Sequence, residues 1–508
     1  MKTLEAVIEI GSTAIRLMVF QVDSSSMWTT IDRAELPVAL GRDVFTNGDV
    51  SRETLLQCIR ILNRFSEQLA GWGINRNHTS IIATSAVREA SNRDMFIDRI
   101  YVKTRYKVKV IDGIEENRLM YLSSVEILRT AAPQILDQNA VIIEIGGGST
   151  EFMILQDGKM AAAHSLRLGT VIIDQYTKAM LGSVKDSRRF LSDYIKTAGM
   201  NMSTETDFTS ISEFIALGPE TLIAAREVGK KLGDRIWSIS KQSFFDFVNS
   251  IKEFSIEECL ARFKISYNEA YSLQVGLLTY KLFMELTTTE EMIVLDVSVR
   301  EGFLINRISA PDDLQPMFCS QIIASARSIG KKYSYDESHA IYVHDTALKI
   351  YDKMENELGL PASARLQLEV AAYLHDIGVF IRSRDHHIHS QYIISNSDIF
   401  GLTHDSIKII SLVARYHRGI VHYHNDEIYQ SLSRIERTQV LKIAAILRVA
   451  DALDRGHCQH IKNFTIELQE DRLVLHMQDV RDINLEKMAV AEKSDLFESV
   501  FGYSVTLL

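Results

Sequence analysis

The chain lacks the features that mark secreted, membrane-spanning and nucleic-acid-binding proteins. Its four cysteines, Cys58, Cys259, Cys319 and Cys458, form no C-x-x-C pair, so we expect them to be reduced and buried. The N-terminal apolar stretch in MKTLEAVIEIGS is too short for a signal peptide, and no apolar run reaches 18 residues. A net charge of −10 leaves no domain-wide basic face. We therefore expect a soluble, cytoplasmic protein that is not a general nucleic-acid binder.

The length and the changing residue pattern predict several domains. A chain of 508 residues exceeds what one hydrophobic core supports. The first 300 residues alternate strand-like and helix-like segments, which predicts two α/β units at 1–125 and 126–305. After a proline-bearing linker at 309–317 the pattern becomes helical, and residues 318–460 hold 12 of the 15 histidines. Residues 461–508 indicate a small α+β appendage of hairpin, helix and strand.

One local pattern occurs twice, in AVIEIGSTAIRL (6–17) and VIIEIGGGSTEF (141–152). In each copy an apolar run and a glutamate precede a turn rich in Gly, Ser and Thr. Such a turn directs successive backbone N–H groups into one concavity that favours phosphate. The alternative is a pair of ordinary hairpin turns without a ligand. The candidate phosphate-binding residues are Gly11, Ser12, Thr13, Gly146, Gly147, Gly148, Ser149 and Thr150.

A carboxylate stands two residues before each loop, Glu9 in the first copy and Glu144 in the second. Carboxylates in this place can hold Mg²⁺, through water, while the ion bridges phosphate oxygens. Two similar domains that face each other would then form a cleft for a phosphorylated substrate. The pattern predicts hydrolysis or transfer at phosphorus, driven mainly by positioning and charge neutralisation.

Several further motifs extend the pattern over most of the chain. They are ATSAVREA (83–90), VIDGIEENRLMY (110–121), SLRLGT (165–170) and the VSVREG stretch around 298–302. With the two loops and the helical C-terminal region, they make the chain resemble the exopolyphosphatase / guanosine pentaphosphate phosphohydrolase (Ppx/GppA) family. The resemblance implies two ribonuclease H-like domains of the actin, Hsp70 and sugar kinase superfamily, followed by a helical domain. It also implies a homodimer.

The resemblance assigns roles to four residues. Glu116 matches the family's catalytic glutamate, which activates the attacking water, and Glu115 matches its acidic neighbour. Arg88 matches an arginine that contacts substrate phosphate, and Glu151 matches a further acidic residue of the active site. These roles agree with the chemistry, since a carboxylate can serve as a base and arginine binds phosphate oxygens in a fork. The alternatives are a solvated helix start for the glutamates and surface salt bridges for Arg88 and Arg118.

The chain departs from the family pattern at both loops. The family has aspartate where this chain has Glu9 and Glu144, so the charge is kept while the reach grows by one methylene, about 1 Å, a misplacement that can cost about a hundredfold in rate. Thr13 replaces the usual asparagine, and GPETLI (218–223) replaces a small phosphate-contacting turn. A re-sized metal site and a weakened activity are the two interpretations.

Basic residues alternate in the stretch YVKTRYKVKVI. If this stretch were a strand, Lys103, Arg105, Lys107 and Lys109 would share one face. Such a face could guide polyphosphate into the cleft. A solvated strand edge guarded by lysines is the other interpretation.

The helical region carries a second candidate site. His375 and Asp376 are adjacent in AAYLHDIGVF, and with His339 and Asp451 they resemble the metal-binding pattern of the HD superfamily of phosphohydrolases. His389 and His417 lie where two-metal members of that superfamily place extra ligands. His344, His386, His387, His404, His422 and His424 are expected to be surface groups or groups that support the ligands. The metal in this domain could be Mn, Fe, Zn or Mg.

The sequence therefore supports three functional hypotheses. The first is a hydrolase that releases terminal phosphate from inorganic polyphosphate, guanosine pentaphosphate, or both, with Mg²⁺ in the cleft. The second places metal-dependent hydrolysis in the HD-type domain. The third is a non-catalytic sensor that binds polyphosphate or an alarmone nucleotide.

Overall fold

A computed structural model describes residues 2–179, 184–202, 207–309, 311–419, 426–478 and 482–508. The chain divides into an N-terminal unit, Met1–Pro316, and a C-terminal unit, Met317–Leu508. No helix in these described ranges is long and apolar enough to cross a membrane. His422 and His424 lie outside the described residues.

The N-terminal unit begins with a five-stranded sheet of order β3-β2-β1-β4-β5. Strand β1 is central and almost wholly buried, because it pairs with β2 in an antiparallel hairpin and with β4 in parallel. The elements of this half are β1 (Thr3–Ile10), β2 (Ala14–Val22), β3 (Trp28–Pro37), α1 (Leu40–Asn47), α2 (Arg52–Gly71), β4 (Thr79–Ala83), α3 (Ser85–Glu89), α4 (Arg93–Thr104), β5 (Val108–Val110) and α5 (Gly113–Ala131).

A seven-stranded sheet of order β10-β11-β12-β9-β6-β7-β8 follows. Strand β6 repeats the environment of β1, since it forms a hairpin with β7 and a parallel pair with β9. The elements are β6 (Ala140–Ile145), β7 (Thr150–Gln156), β8 (Lys159–Leu166), α6 (Thr170–Ala179), α7 (Val184–Met202), β9 (Glu213–Leu217), α8 (Pro219–Val228), β10 (Lys230–Gly233), β11 (Ile236–Ser240), α9 (Lys241–Ile251), α10 (Ile256–Phe263), α11 (Tyr267–Met284), β12 (Glu291–Leu295) and α12 (Val299–Ile308).

Helix α5 continues without a break across position 125/126, where the sequence pattern places a domain boundary. Asp112 caps its N-terminus by accepting a hydrogen bond from Glu115 N at 2.8 Å. Helix α12 packs against it with very little space, because a Cβ at Gly302 would lie 1.9 Å from Leu119 O. Only glycine allows two backbones to approach this closely.

Helices dominate the rest of the chain, and a small sheet of order β13-β14-β15 ends it. The predicted hairpin, helix and strand after 461 are confirmed, with two helices in the middle. The elements are α13 (Pro311–Lys332), α14 (Glu337–Lys353), α15 (Glu355–Leu358), α16 (Ser363–Leu374), α17 (His386–Ser395), α18 (His404–Tyr416), α19 (Glu427–Ser431), α20 (Arg434–Ala452), β13 (Asn463–Leu468), β14 (Arg472–Gln478), α21 (Asn484–Lys493), α22 (Asp495–Phe501) and β15 (Ser504–Leu507).

One local prediction is wrong. The basic stretch does not form one strand, because α4 runs on to Thr104, Arg105 takes a left-handed conformation with φ 63°, and β5 begins only at Val108. The four basic residues therefore share no strand face. The segment at 309–317, where the sequence predicts a proline-bearing linker, is helical from Pro311 onward, and the chain divides into its two units between Pro316 and Met317. Proline is well tolerated in the first turn of a helix, so it starts this one rather than breaking it.

The cysteine prediction is correct for pairing and only partly correct for burial. All four cysteines are free, and Cys58 and Cys259 are buried. Cys319 is half-buried and Cys458 is exposed.

Candidate functional site

The two loops close in the same way. Gly11 N donates to Ala14 O at 3.0 Å in the first, and Gly146 N donates to Ser149 O at 2.8 Å in the second. The loops also touch each other, because a Cβ at Gly147 would lie 3.0 Å from Ser12 Cβ. The repeated sequence pattern therefore brings two matching turns face to face.

A cavity of about 350 Å³ lies at this junction, and most of the predicted cleft residues line it. The predicted residues in its wall are Glu9, Gly11, Ser12, Thr13, Glu116, Glu144, Gly146, Gly147, Ser149 and Glu151. Gly148 and Thr150 support the second loop instead. A Cβ at Gly148 would meet the Phe45 ring at 2.3 Å, and Thr150 Oγ1 donates to Leu168 O. These contacts hold the second loop against its neighbours.

Glu116 reaches the cavity from the first turn of α5. Arg88 Nη1 donates to Glu116 Oε2 at 3.2 Å and to Ile111 O at 2.8 Å, so the arginine holds the carboxylate without lining the cavity itself. Burial raises the pKa of Glu116, and the Arg88 guanidinium opposes that shift. A buried carboxylate with a raised pKa is a suitable proton acceptor.

Glu115, next in the chain, turns away from this site. Its carboxylate accepts hydrogen bonds from Arg118 Nε at 2.6 Å and Arg118 Nη2 at 2.9 Å. These contacts lower the pKa of Glu115 against the opposing effect of burial. Glu115 is therefore paired with Arg118, whereas the adjacent Glu116 lines the cavity.

Glu144 and Glu151 face each other across the hairpin of the second loop, as partners in the register of β6 and β7. Burial and the nearby carboxylates of Glu116 and Glu9 raise the pKa of Glu144 to about 8. Burial, together with Glu116, raises the pKa of Glu151 well above its usual range, while Asn117 and Ser165 donate hydrogen bonds to its carboxylate. Crowded carboxylates with raised pKa values form a region that attracts a cation.

Glu9 is the predicted metal ligand that the structure surrounds with arginines. Arg16 Nη1 lies 3.5 Å from Glu9 Oε1, and Arg300 Nε lies 3.5 Å from Glu9 Oε2. Both arginines line the cavity. The Glu9 carboxylate therefore already has two positively charged partners.

The C-terminal unit brings together the predicted histidine and aspartate residues. His339 Nε2 lies 3.9 Å from Asp376 Oδ2 and 3.6 Å from Asp451 Oδ1, and His375 Nε2 lies 3.7 Å from Asp376 Oδ1. His339, His375 and Asp376 can offer ligand atoms to one metal ion, and Asp451 lies beside this group.

A second group shares Asp376. Its other members are His386 and His417, whose Nε2 atoms lie 3.0 Å and 3.3 Å from Asp376 Oδ1. His417 was predicted, whereas His386 takes the place predicted for His389. His386 is the first residue of α17 and is buried, while His389, three residues later, is only partly buried.

The rings of His339, His375, His386 and His417 are oriented alike. Each Nδ1 contacts an outer oxygen, which leaves Nε2 to point into the group. The contacts are His339 to Asp454 Oδ2 at 2.8 Å, His375 to Ala372 O at 2.8 Å, His386 to Ser383 O at 2.9 Å and His417 to Ala414 O at 2.5 Å. Within the described part of the chain, the buried Nε2 atoms of His339 and His375 have no hydrogen-bond partner.

The pKa values of His339 and His375, the two histidines grouped with Asp376, shift in opposite directions. Burial lowers the pKa of His375 to about 4, so its ring is neutral and able to donate an electron pair. Burial opposes protonation of His339 as well, but the carboxylates of Asp451 and Asp454 outweigh it and raise its pKa to about 9.

Comparison with known proteins decides the family. Residues 18–310 match the Ppx/GppA phosphatase family, and residues 323–496 match Ppx/GppA phosphatase, domain III. The chain belongs to the Ppx/GppA phosphatase family. Two guanosine-5'-triphosphate,3'-diphosphate pyrophosphatases are similar to this family member. That of Photobacterium profundum is 24% identical over 484 residues, 93% of this chain and 91% of that one. That of Aeromonas hydrophila subsp. hydrophila is 24% identical over 482 residues, 93% of this chain and 92% of that one.

A solved structure supports the α/β fold of this Ppx/GppA member. The crystal structure of an exopolyphosphatase from Cytophaga hutchinsonii matches with a TM-score of 0.53 and 21% identity, covering 60% of this chain and 98% of that chain. At 21% identity, this match supports a similar fold and no more.

Sequence reasoning gave no role to several charged residues that line the cavity of this Ppx/GppA member, among them Arg16, Arg300 and Glu220. Arg16 stands opposite Glu9 in the register of β1 and β2, so a hairpin alignment of the first loop would have indicated it. Glu220 lies in the GPETLI stretch, where Ser272 Oγ donates to Glu220 Oε1 at 2.6 Å. The preceding Gly218 has φ 107°, which favours glycine at this turn.

Proposed function

We propose that this Ppx/GppA family member is a phosphoanhydride hydrolase that releases terminal phosphate from inorganic polyphosphate, guanosine pentaphosphate, or both. The observation that carries the proposal is the convergence of both Gly-rich loops and Glu116 on one cavity. The names of the related proteins, a guanosine-5'-triphosphate,3'-diphosphate pyrophosphatase and an exopolyphosphatase, support the same substrate class. The cytoplasmic location and the homodimer stay predictions.

In the proposed reaction the loops bind the terminal phosphate and Glu116 acts on water. Backbone N–H groups of the Gly-rich turns face the phosphate oxygens. The Glu116 carboxylate accepts a proton as the water oxygen bonds to phosphorus, and the bond to the bridging oxygen breaks. Arg88 keeps the carboxylate in place, while Arg16 and Arg300 are available to neutralise negative charge on the substrate.

Carboxylates in the cavity fit a divalent cation. Burial and the nearby carboxylates of Glu116 and Glu9 raise the pKa of Glu144, so a cation beside it would stabilise its charged form. We assign Glu144 as the principal ligand of Mg²⁺ and Glu9, already paired with two arginines, as a weaker one. When bound, the ion would offset charge on the phosphate oxygens.

The substrate assignment is tested by measuring phosphate release from polyphosphate and from guanosine pentaphosphate in the presence of Mg²⁺, with p-nitrophenyl phosphate as the control ester. We expect release from at least one phosphoanhydride and a rate at least about tenfold lower with the ester, which presents no polyphosphate chain to the loops. Tight binding without release, under any divalent metal, would instead support the sensor hypothesis.

Shortening the second carboxylate by one methylene tests whether the metal site is adapted to glutamate. Glu144→Asp should lower kcat by about a hundredfold, because a misplacement of about 1 Å has this scale of effect and Mg²⁺ requires near-ideal geometry. The same change at Glu53, an exposed residue of α2 that does not line the cavity, serves as the control. Equal or higher activity in Glu144→Asp would show that the chain is a weakened version of an aspartate site.

We also propose a metal centre in the C-terminal unit, with Asp376 shared between two ion positions. His339 and His375 would hold one ion with Asp376 and the neighbouring Asp451, and His386 and His417 would hold the other with Asp376. The free Nε2 atoms of His339 and His375 support this assignment. When bound, such ions would supply an activated water for phosphoester hydrolysis.

Removal of His375 and the shared Asp376 distinguishes the metal centre of the C-terminal unit from the cavity of the N-terminal unit. The double variant His375→Ala with Asp376→Ala should lose bound Mn²⁺ from the C-terminal unit, measured as metal content after dialysis. Glu116→Gln should retain that metal, since it alters only the other unit. Unchanged Mn²⁺ content in the double variant would contradict the metal centre, and loss of phosphate release in it would move the catalytic assignment to this unit.

A further inference from the structure

Lys493, the last residue of α21, lies buried beside the histidine group. Only 5% of the residue is exposed, and its Nζ donates to Asp451 Oδ2. A buried ammonium is unfavourable without such a partner. The other oxygen of the same carboxylate, Asp451 Oδ1, lies 3.6 Å from His339 Nε2. The two oxygens of Asp451 therefore face two different groups.

The position of Lys493 is fixed by a buried arginine on the helix that carries Asp451. Arg448 Nε donates to Lys493 O at 2.9 Å, and Arg448 Nη2 donates to Asp495 Oδ1 at 2.7 Å. Arg448 Nη1 donates to Gly419 O at 2.9 Å, two residues after His417. One guanidinium thus ties together the helix of Asp451, the end of α21 and the segment that follows His417.

Other members of the group have comparable outer partners. Asp454 Oδ2 contacts His339 Nδ1, and its own Oδ1 accepts from Cys458 N at 3.0 Å and Gln459 N at 2.7 Å. Partners of this kind set the orientation of ligands, and their removal costs about 10–100-fold in metal affinity. Lys493 has the same relation to Asp451 that Asp454 has to His339.

We infer that Lys493 is a positioning residue for the metal centre of the C-terminal unit. It occupies Asp451 Oδ2 and so presents Oδ1 alone to the ion, which makes Asp451 a ligand through one oxygen. This inference rests on the proposed metal centre. The C-terminal appendage would then contribute to the metal centre, because α21 supplies Lys493 to a site whose ligands lie on other helices.

The same contact allows an opposite role, in which the ammonium competes with the ion for Asp451. The two roles predict opposite changes in metal affinity when Lys493 is replaced. Loss of a positioning residue weakens metal binding, whereas loss of a tethered competitor strengthens it because one repelling charge is removed.

The test is Mn²⁺ titration of the full chain by calorimetry, in a Glu144→Gln background that suppresses binding in the cavity of the N-terminal unit. Lys493→Met should weaken Mn²⁺ binding by about 10–100-fold. Lys493→Arg, which keeps the charge and the donors, should recover most of that loss. Lys487→Met, on the exposed side of the same helix, should bind as the parent does.

A double-mutant cycle separates positioning from simple structural support. In an Asp451→Asn background, Lys493→Met should have no further effect on Mn²⁺ affinity, because its target carboxylate is gone. If Lys493→Met does not fold in the absence of metal, Lys493→Gln is measured in its place. Unchanged or tighter binding in the folded variant overturns the inference, whereas a parent protein that binds no Mn²⁺ overturns the metal centre itself.

Discussion

Replacing Glu116 by glutamine should lower kcat for phosphate release by roughly 10²–10⁴-fold, the usual contribution of a general base. The substitution keeps the shape of the side chain and removes only its ability to accept a proton. Its raised pKa and its place in the cavity wall make Glu116 the strongest candidate for this role. Initial rates with saturating polyphosphate and guanosine pentaphosphate measure the effect.

The neighbouring glutamate provides a matched control for this experiment. Glu115→Gln removes the same charge one residue earlier, but its carboxylate is bound to Arg118 and does not line the cavity. We expect a loss of less than about tenfold, arising from a less stable start of α5. Equal phosphate release from the parent and Glu116→Gln would remove the cavity as the site of hydrolysis.

Gly169→Ala should abolish most of the activity by displacing the second loop. A Cβ at this position would lie 2.3 Å from both Gly147 C and Gly147 O. The start of α6 also holds the loop, because Thr170 N and Val171 N donate to Gly146 O and Gly147 O, each at 2.9 Å. The added methyl group therefore pushes on the backbone that binds phosphate, and a shift of about 1 Å is expected to cost about a hundredfold in kcat/KM.

Gly71→Ala is the control for the glycine substitution. Gly71 is the last residue of α2, and apart from its chain neighbours and the backbone of its own helix nothing lies within 4 Å of the position where its Cβ would be. Its replacement should leave activity unchanged and alter stability by about 0.5–1 kcal/mol at most. Thermal melting of both variants distinguishes a displaced loop from general unfolding, and wild-type activity in Gly169→Ala would show that the second loop does not bind substrate.

Features carried by short contiguous motifs could be predicted from sequence. The repeated strand, glutamate and Gly-rich turn predicted both hairpins, because the hydrogen bonds that form them are local. Adjacent His375 and Asp376 predicted the centre of the histidine group in the same way. The resemblance to a known family supplied the role of Glu116, which spacing alone leaves open.

Contacts between distant segments could not be predicted in the same way. Arg300 approaches Glu9 because α12 starts near the end of β1. The sequence around either residue does not indicate that these two segments lie close together. His386 and His389 are three residues apart and share one helix face, so the choice between them depends on where α17 begins relative to α18. The basic stretch was misjudged because alternation of charge continues through the end of a helix.

The placement of Glu116 on α5 has a consequence for motion within the N-terminal unit. Gly302 brings α12 against the backbone of α5 at Leu119, so the first turn of α5 belongs to a rigid pair of helices. The backbone that carries the reactive carboxylate therefore moves together with this helix pair. Any closure around the phosphate tail must carry the whole helix pair, and stiffening or loosening that pair would change turnover without altering a single atom that contacts the substrate.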